Sequence, residues 1–404
     1  MHKIIVSLTI IRVALLANPF SPSTLLSTCC TIASVASNLD IQQTDIGITC
    51  ATCSPLDGRR VAVGCEDASI RVWALDGSHQ RRRKTRENTL QEARSSTAEA
   101  GDATTLLGHK GGWPIFGLDF CRDGRHLLSC GGDGTIRLWD TGSLGPIGNP
   151  YTKQQKRSGP SNRRGADFSE IQGAALCVYR GHAAGTPVWT CRFAPSGYYF
   201  ASGGMDHSVR IWSTDRIAPL RVCIGHTESV GKVAWHPNCN YVFSGSDDRT
   251  VRMWDIQTGR CVRLLIGLKG DVTCLEVSPN GRHAVAGDVL GYIHVWDIGT
   301  SRLVKEIRSC LREDTVPVYT LAFSSCGQAL ASGGADNFVK LWDVSSPSEN
   351  RGNPDFVKND VCDLGPSGLT TKPVTQFQTK NTQLLNLFYS RRNLLMGVGK
   401  YTTQ

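Results

Sequence analysis

Tryptophan recurs in this chain at an interval that narrows the choice of fold sharply. Trp212, Trp254 and Trp296 stand 42 positions apart, and Trp342 follows Trp296 by 46. Upstream, Trp139 precedes Trp212 by 73 and Trp73 precedes Trp139 by 66, which returns to one unit once about 31 and about 24 residues are set aside. Two polar, Arg-rich tracts, 78–103 and 143–174, sit where such inserts are needed. The least interrupted unit is 225–255, GHTESVGKVAWHPNCNYVFSGSDDRTVRMWD. Three short runs rich in β-branched and aromatic residues, separated by Pro/Asn and Asp/Arg turns, predict an antiparallel meander.

A finer regularity lies inside the unit. Six positions before each closing Trp stands Asp67, Asp133, Asp206, Asp248 or Asp336, with Leu290 in the fifth repeat. Four positions earlier stands Ser129, Ser202, Ser244 or Ser332, with Val63 in the first repeat and Ala286 in the fifth. Gly-His openings add His109, His182 and His226. A turn Asp can accept from an imidazole whose other nitrogen engages a strand Ser, which in turn meets an indole N–H. This predicts the networks His109–Ser129–Asp133–Trp139, His182–Ser202–Asp206–Trp212 and His226–Ser244–Asp248–Trp254. Ser, His and Asp also suggest a hydrolase, but an enzyme needs one such set with an oxyanion hole, and here the set recurs three times. In the fifth repeat Leu268, Ala286 and Leu290 replace all three polar members. The sixth keeps Ser332, Asp336 and Trp342 but has 308–314 where Gly-His belongs.

The 404 residues could form two or three average domains, yet an all-β ring can use them as one. The 42 glycines suit a chain with many tight turns, and 40% hydrophobic content supplies a core. The net charge of +9 is concentrated in the inserts, where Arg81, Arg82, Arg83, Lys84, Arg163 and Arg164 are candidate basic contacts. A solvated loop is the competing account, and neither tract interleaves aromatics for base stacking. The 16 cysteines are scattered, and several, such as Cys130, Cys191 and Cys274, fall in expected strands as small hydrophobes. Cys50 and Cys53 form a single CxxC without a second pair or a His cluster at zinc spacing, so no metal site is expected. A reducing compartment follows.

The N-terminal segment, 1–37, opens with MHKIIVSLTIIRVALLA, which resembles a secretory signal peptide; a mis-assigned start and an apolar strand are the alternatives. From 38 to 404 the chain reads as one repeat domain with the two inserts and a Pro/Gly/Asn-rich loop at 345–373. Two apolar runs, 384–389 and 394–398, end it. A ring must pair its ends, because an open edge invites aggregation. A C-terminal hairpin and a strand before Ile48 are therefore expected to complete a seventh blade.

Six Trp-terminated repeats and a split seventh resemble a WD40 β-propeller: all-β, seven-bladed, the seventh blade closed by the C-terminal hairpin with an N-terminal strand. The runs APSGYYFASGGMDHSVRIWSTDRIAPLRVCIGH at 194–226 and HPNCNYVFSGSDDRTVRMWDIQTGRCVRLLIG at 236–267 resemble the propeller of the WD40 subunit of general transcription factor TFIID, shared in some lineages with the SAGA coactivator. The ending TKNTQLLNLFYSRRNLLMGVGKY at 379–401 is similar to that family's ring-closing hairpin, and a long insert after the first repeat fits as well. The resemblance spans about 38–401; the family's helical N-terminal modules have no counterpart in 1–40. It implies a nuclear, non-enzymatic scaffold that helps assemble TFIID at RNA polymerase II promoters and contacts histone-fold subunits, with SAGA-type complexes as further partners. It implies no cofactor, no membrane and no small-molecule substrate, and at most weak contact with promoter DNA. Loops 110–112, 183–186 and 227–229 are candidate partner contacts, with plain structural turns as the rival account. The competing functions are another WD40 adaptor, such as a ubiquitin-ligase substrate receptor or a ribosome-biogenesis scaffold, and an enzyme built on a propeller. Against the enzyme, no unrepeated nucleophile–base pair or phosphate-binding loop stands out.

Overall fold

Every regular element that the computed structural model describes is a β-strand. The described residues are 7–10, 13–14, 35–38, 47–55, 60–74, 104–141, 175–309, 315–344, 369–370, 373–379, 382–389 and 394–401. The basic candidates Arg81, Arg82, Arg83, Lys84, Arg163 and Arg164 lie outside them.

Near the N-terminus are β1 (Ser7–Ile10), β2 (Val13–Ala14) and β3 (Val35–Asn38). Six antiparallel sheets follow, each ordered as the chain runs. The first blade is β4 (Ile48–Cys53), β5 (Arg60–Cys65), β6 (Ile70–Ala74) and β7 (Thr104–Leu106). The second is β8 (Ile115–Phe120), β9 (His126–Gly131), β10 (Thr135–Asp140) and β11 (Cys177–Arg180). The third is β12 (Val188–Phe193), β13 (Tyr199–Gly204), β14 (Ser208–Ser213) and β15 (Arg221–Ile224). The fourth is β16 (Val230–Trp235), β17 (Tyr241–Ser246), β18 (Val251–Asp255) and β19 (Cys261–Leu265). The fifth is β20 (Val272–Val277), β21 (His283–Asp288), β22 (Tyr292–Asp297) and β23 (Leu303–Arg308). The sixth begins with β24 (Val318–Phe323), β25 (Ala329–Gly334) and β26 (Phe338–Asp343).

Within the stretch expected to be loop, β27 (Leu369–Thr370) adds to β23 in parallel. The sixth blade is completed by β28 (Thr375–Gln378) on β26. The chain ends in the hairpin β29 (Thr382–Tyr389) and β30 (Leu394–Tyr401).

The expected three-stranded unit thus gains a fourth, outer strand, formed after the Trp and before the next Gly-His. Each sequence repeat consequently straddles two blades, its opening Gly-His leaving the outer edge of one and its strands building the next. Among the described residues six blades are complete. Of the two remaining sheets one is the β1-β3 pair and the other has three strands, ordered β2-β30-β29. Its N-terminal member pairs through only two residues, Val13 with Leu395 and Ala14 with Leu394, while β1 pairs instead with β3.

Turn chemistry explains why the strands end where they do. At the tip between second and third strands, one residue takes a left-handed backbone: Ala68, Gly134, His207, Arg249, Gly291 or Asn337. Such a conformation costs a non-glycine residue about 1–2 kcal/mol. In the four repeats with Ala68, His207, Arg249 or Asn337 there, the preceding Asp offsets this by accepting the amide two residues on, from Ser69 (2.9 Å), Ser208 (3.2 Å), Thr250 (3.0 Å) and Phe338 (3.2 Å).

The core lies between blades. Trp139, Trp212, Trp254 and Trp296 are at most 1% exposed, and these indoles carry the largest apolar area of any side chain. Trp212 stacks on Phe200 at 5.9 Å with planes 6° apart. The C-terminal hairpin sits between the first and sixth blades. Leu384, Leu387 and Leu395 pack with Ala331 and Leu341 on one side, while Met396 and Val398 pack with Val61 and Trp73 on the other. Asn386 Nδ2 donates to the Ala51 carbonyl (2.7 Å), and the Leu387 amide donates to Thr320 Oγ1 (2.8 Å).

Candidate functional site: polar clamps beneath an exposed rim

Each Gly-His opening is shaped by the indole it covers. A Cβ on Gly181 would come within 2.7 Å of the Trp212 ring, and one on Gly108 within 2.9 Å of the Trp139 ring. Glycine lets the chain pass close over the ring and turns the next side chain inward.

In the second blade His109 Nε2 lies 2.7 Å from Ser129 Oγ, Nδ1 lies 3.0 Å from Asp133, and Trp139 Nε1 donates to Ser129 Oγ at 2.8 Å. The third blade brings together His182, Ser202, Asp206 and Trp212 at 2.7, 3.0 and 2.9 Å. The fourth brings together His226, Ser244, Asp248 and Trp254, each contact being 2.7 Å. The carboxylate can only accept, so the proton sits on Nδ1; the serine hydroxyl donates to Nε2 and accepts from the indole. Every polar atom in the chain of contacts is then used. Burial alone would raise the Asp133 and Asp206 carboxyls, but the bonds from His109 or His182 and the neighbouring amides outweigh it and hold both well below the usual range. Burial acts on Asp248 in the same sense, and there the bonds from Thr250 and His226 prevail and lower it. Burial lowers His226 despite its carboxylate partner.

The hydrolase geometry fails on access. Ser129, Ser202 and Ser244 are 0% exposed, and each hydroxyl is occupied by both an imidazole and an indole. No acyl group can reach them.

Three repeats depart from the pattern: the first has Val63 for the serine and keeps Asp67, and the fifth and sixth depart each in its own way. In the fifth, Leu268 and Ala286 are buried, the Trp296 indole donates to the Ile266 carbonyl (3.2 Å), and Asp288 accepts from the Gly270 and Tyr292 amides. In the sixth, a cation replaces the missing imidazole. Buried Lys340 reaches Asp336 at 2.5 Å and the Ser309 carbonyl at 2.5 Å, while Trp342 donates to Ser332 at 2.8 Å. Lys340 is not among the residues expected from sequence, although a signal for it exists. The position two before each closing Trp is always basic: Arg71, Arg137, Arg210, Arg252, His294 and Lys340. Arg137 and Arg210 lie 3.7 and 3.4 Å from their turn carboxylates.

The clamps carry the rim. Immediately after each buried His, the backbone amide of Lys110, Ala183 or Thr227 donates to the same Asp, at 3.1, 3.1 and 3.3 Å. Residues 110–112, 183–185 and 227–228 are exposed, so a fixed root presents an accessible loop. The inner strands of all six blades and β29 together line one pocket. There Arg192 reaches Glu276 at 3.2 Å and Asp119 at 3.7 Å, pinning three blades together. Burial pushes Asp119 up to about 6 against the pull of Arg192. The 12 described cysteines are free thiols, and burial raises Cys50 and Cys274 to about 12.

Comparison with known proteins agrees with this architecture. Over 193 residues the chain is 30% identical to Transcription initiation factor TFIID subunit 5 of Caenorhabditis elegans, covering 46% of this chain and 25% of that protein. Over 96 residues it is 32% identical to the SAGA complex/transcription factor TFIID complex subunit Taf5 of Schizosaccharomyces pombe, covering 24% and 13%. It is also 25% identical over 219 residues to LEC14B protein of Lithospermum erythrorhizon, covering 45% of each. The aligned region is thus less than half of each of these proteins. The family described as WD domain, G-beta repeat matches six times, at 40–74, 102–140, 173–213, 217–255, 259–297 and 305–343. Those matches occupy more than half of the chain and coincide with the Trp-terminated units, and the chain accordingly belongs to the WD40 repeat family.

Proposed function

We propose that this protein is a non-catalytic WD40 scaffold of a TFIID-type transcription complex, acting in the nucleus. The observation that carries the reading is the recurrence of TFIID subunit 5 among its relatives, from Caenorhabditis elegans, Drosophila melanogaster and Arabidopsis thaliana, with Taf5 of fission yeast beside them. Physically, clamped loops on a stiff ring suit a platform, since contacts made by pre-ordered backbone lose little entropy on binding. Loops 110–112, 183–186 and 227–229 are the partner-facing surface in this reading, and histone-fold subunits are the partners. The tetrads His109–Ser129–Asp133–Trp139, His182–Ser202–Asp206–Trp212 and His226–Ser244–Asp248–Trp254 serve as structural clamps.

Closure as a seven-bladed ring belongs to the same proposal. Six inner strands carry one register shift at the same place: Ile48/Cys50, Ile115/Gly117, Val188/Thr190, Val230/Lys232, Val272/Cys274 and Val318/Thr320. A seventh occurs in β29 at Leu384/Asn386. A bulge repeated in register is a device for bending strands into a ring, and its presence in the hairpin supports β29 as the inner strand of a seventh blade.

The test is affinity purification of the tagged protein from nuclear extract with identification of co-purifying subunits. TBP and histone-fold factors are expected. Their absence, with ubiquitin-ligase or ribosome-assembly subunits in their place, would overturn the TFIID reading in favour of another WD40 adaptor. The basic inserts, with Arg81–Lys84, Arg163 and Arg164, are proposed as weak contacts for promoter DNA. Binding that falls steeply with salt is the expected signature.

A further inference from the structure

The turn joining β8 to β9 differs chemically from the turns at the same place in the other blades. It reads Cys121-Arg-Asp123-Gly-Arg-His126. The residue matching Cys121 is Ser54, Ala194, His236, Ser278 or Ser324 elsewhere, and that matching His126 is Arg60, Tyr199, Tyr241, His283 or Ala329. Among the described residues, only here do a thiol, a carboxylate and an imidazole share one turn, and their ligating atoms all lie within 4.8 Å of one another.

We propose that Cys121, Asp123 and His126 form a binding site for a zinc-class divalent cation. The His126 Nδ1 to Asp123 Oδ2 distance is 3.6 Å. That is longer than a hydrogen bond of about 2.7–3.2 Å, whereas Zn–N and Zn–O bonds of about 2.0–2.2 Å set two donors of a tetrahedral ion about 3.4 Å apart. The donor set, one S, one N and one O, is the kind that zinc accepts with a fourth position left to water.

The turn is built before any ion arrives. Gly124 adopts φ 67° and its amide donates to the Cys121 carbonyl (2.8 Å). The Cys121 amide donates to the His126 carbonyl (2.8 Å), closing the strand ends. The Arg125 amide occupies Asp123 Oδ1 (2.9 Å), which turns Oδ2 toward His126. The third blade covers the thiol, since a Cβ on Gly197 would come within 3.0 Å of Cys121 Sγ. Asp123 and His126 keep 46% and 39% of their side-chain surface, so the ion has an open approach and water can complete its shell. On binding, the thiol proton leaves to solvent as the metal–sulfur bond forms, and no electron is transferred.

The experiment is a titration of the chelator-treated, reduced full chain with cobalt(II) chloride, followed by absorbance. One equivalent should develop a thiolate-to-cobalt charge-transfer band together with the visible bands of a tetrahedral ion, and added zinc chloride should abolish both. Cys121→Ser should remove the charge-transfer band. His126→Gln, at a half-exposed position that the fold does not need, should weaken cobalt binding by about tenfold or more. Cys239→Ser and Cys326→Ser should leave the titration unchanged. Absence of the band, or a band that survives both Cys121→Ser and His126→Gln, would overturn the proposal.

Discussion

The fourth and fifth blades share a backbone and differ in what fills it. Both have the same four antiparallel strands, the same inner-strand bulge and a fully buried tryptophan. The fourth joins His226, Ser244 and Asp248 to its indole. The fifth has Leu268, Ala286 and Leu290 instead, passes the indole proton to the Ile266 carbonyl, and moves the turn carboxylate two residues back to Asp288. A blade therefore does not require an imidazole. In both blades the indole N–H and the turn amides find acceptors, and in the first blade Asp67, kept without the serine and the imidazole, still accepts from the Ser69 amide. The sixth blade reaches the same end with an ammonium.

The pairing of buried polar groups can be broken most forcefully in the sixth blade. Lys340→Met leaves Asp336 in a mostly buried turn without its cation, and removing one member of a buried pair costs about 3–5 kcal/mol. Urea unfolding of the variant measures it; a loss below about 1 kcal/mol would show that the turn tolerates the carboxylate without an ammonium beside it. Asp248→Ala comes next, at about 1–3 kcal/mol, because the His226 Nδ1–H loses its only acceptor among the described contacts. A third variant turns the fourth blade into the fifth: His226→Leu, Ser244→Ala and Asp248→Leu together, with the Ile224 carbonyl expected to take the Trp254 N–H. Its cost should fall below the sum of the three single changes by about 0.5–3 kcal/mol, the usual coupling within one network. Strict additivity would mean that the four side chains do not act as a set.

How far a feature shows in the sequence depends on whether it is local and repeated. Strand positions and the Ser/Asp/Trp members show at fixed spacing because they belong to one hairpin, and the His, 18 to 20 residues before its Ser, is marked by the Gly that precedes it. The fourth strand does not end on a repeated residue: β7, β11 and β28 lie beyond inserts or a long connection, and periodicity cannot place them. Ring closure is visible in outline, as an apolar hairpin at the C-terminus. Its thin N-terminal partner, Val13–Ala14, is not, since two residues carry no pattern. Lys340 escapes a search confined to the Gly-His opening, because the cation comes from the neighbouring strand four residues after Asp336. The Cys121/Asp123/His126 turn escapes for a related reason. Paired CxxC motifs are the usual guide to zinc spacing, while this donor set comes from one hairpin tip.

The smallest expected effect is a matter of protons. Burial lowers His226 below its ordinary value, so between the unfolded value of about 6.5 and the lower folded value the unfolded chain holds more protons. The clamp's contribution from this group is therefore complete above about pH 6.5 and declines as the pH falls through that window. Asp248 is depressed in the folded chain, so its contribution is complete above about pH 3.9 and is lost only on further acidification. Both terms act in the same direction, and both vanish in the triple variant, which has neither the imidazole nor the carboxylate. Urea midpoints measured at pH 7.5, 6 and 5 should accordingly show the wild type losing its advantage over that variant step by step. A constant difference across the series would mean that the fourth blade's imidazole titrates alike in folded and unfolded chains, and that the polar and apolar blades differ in their contacts alone.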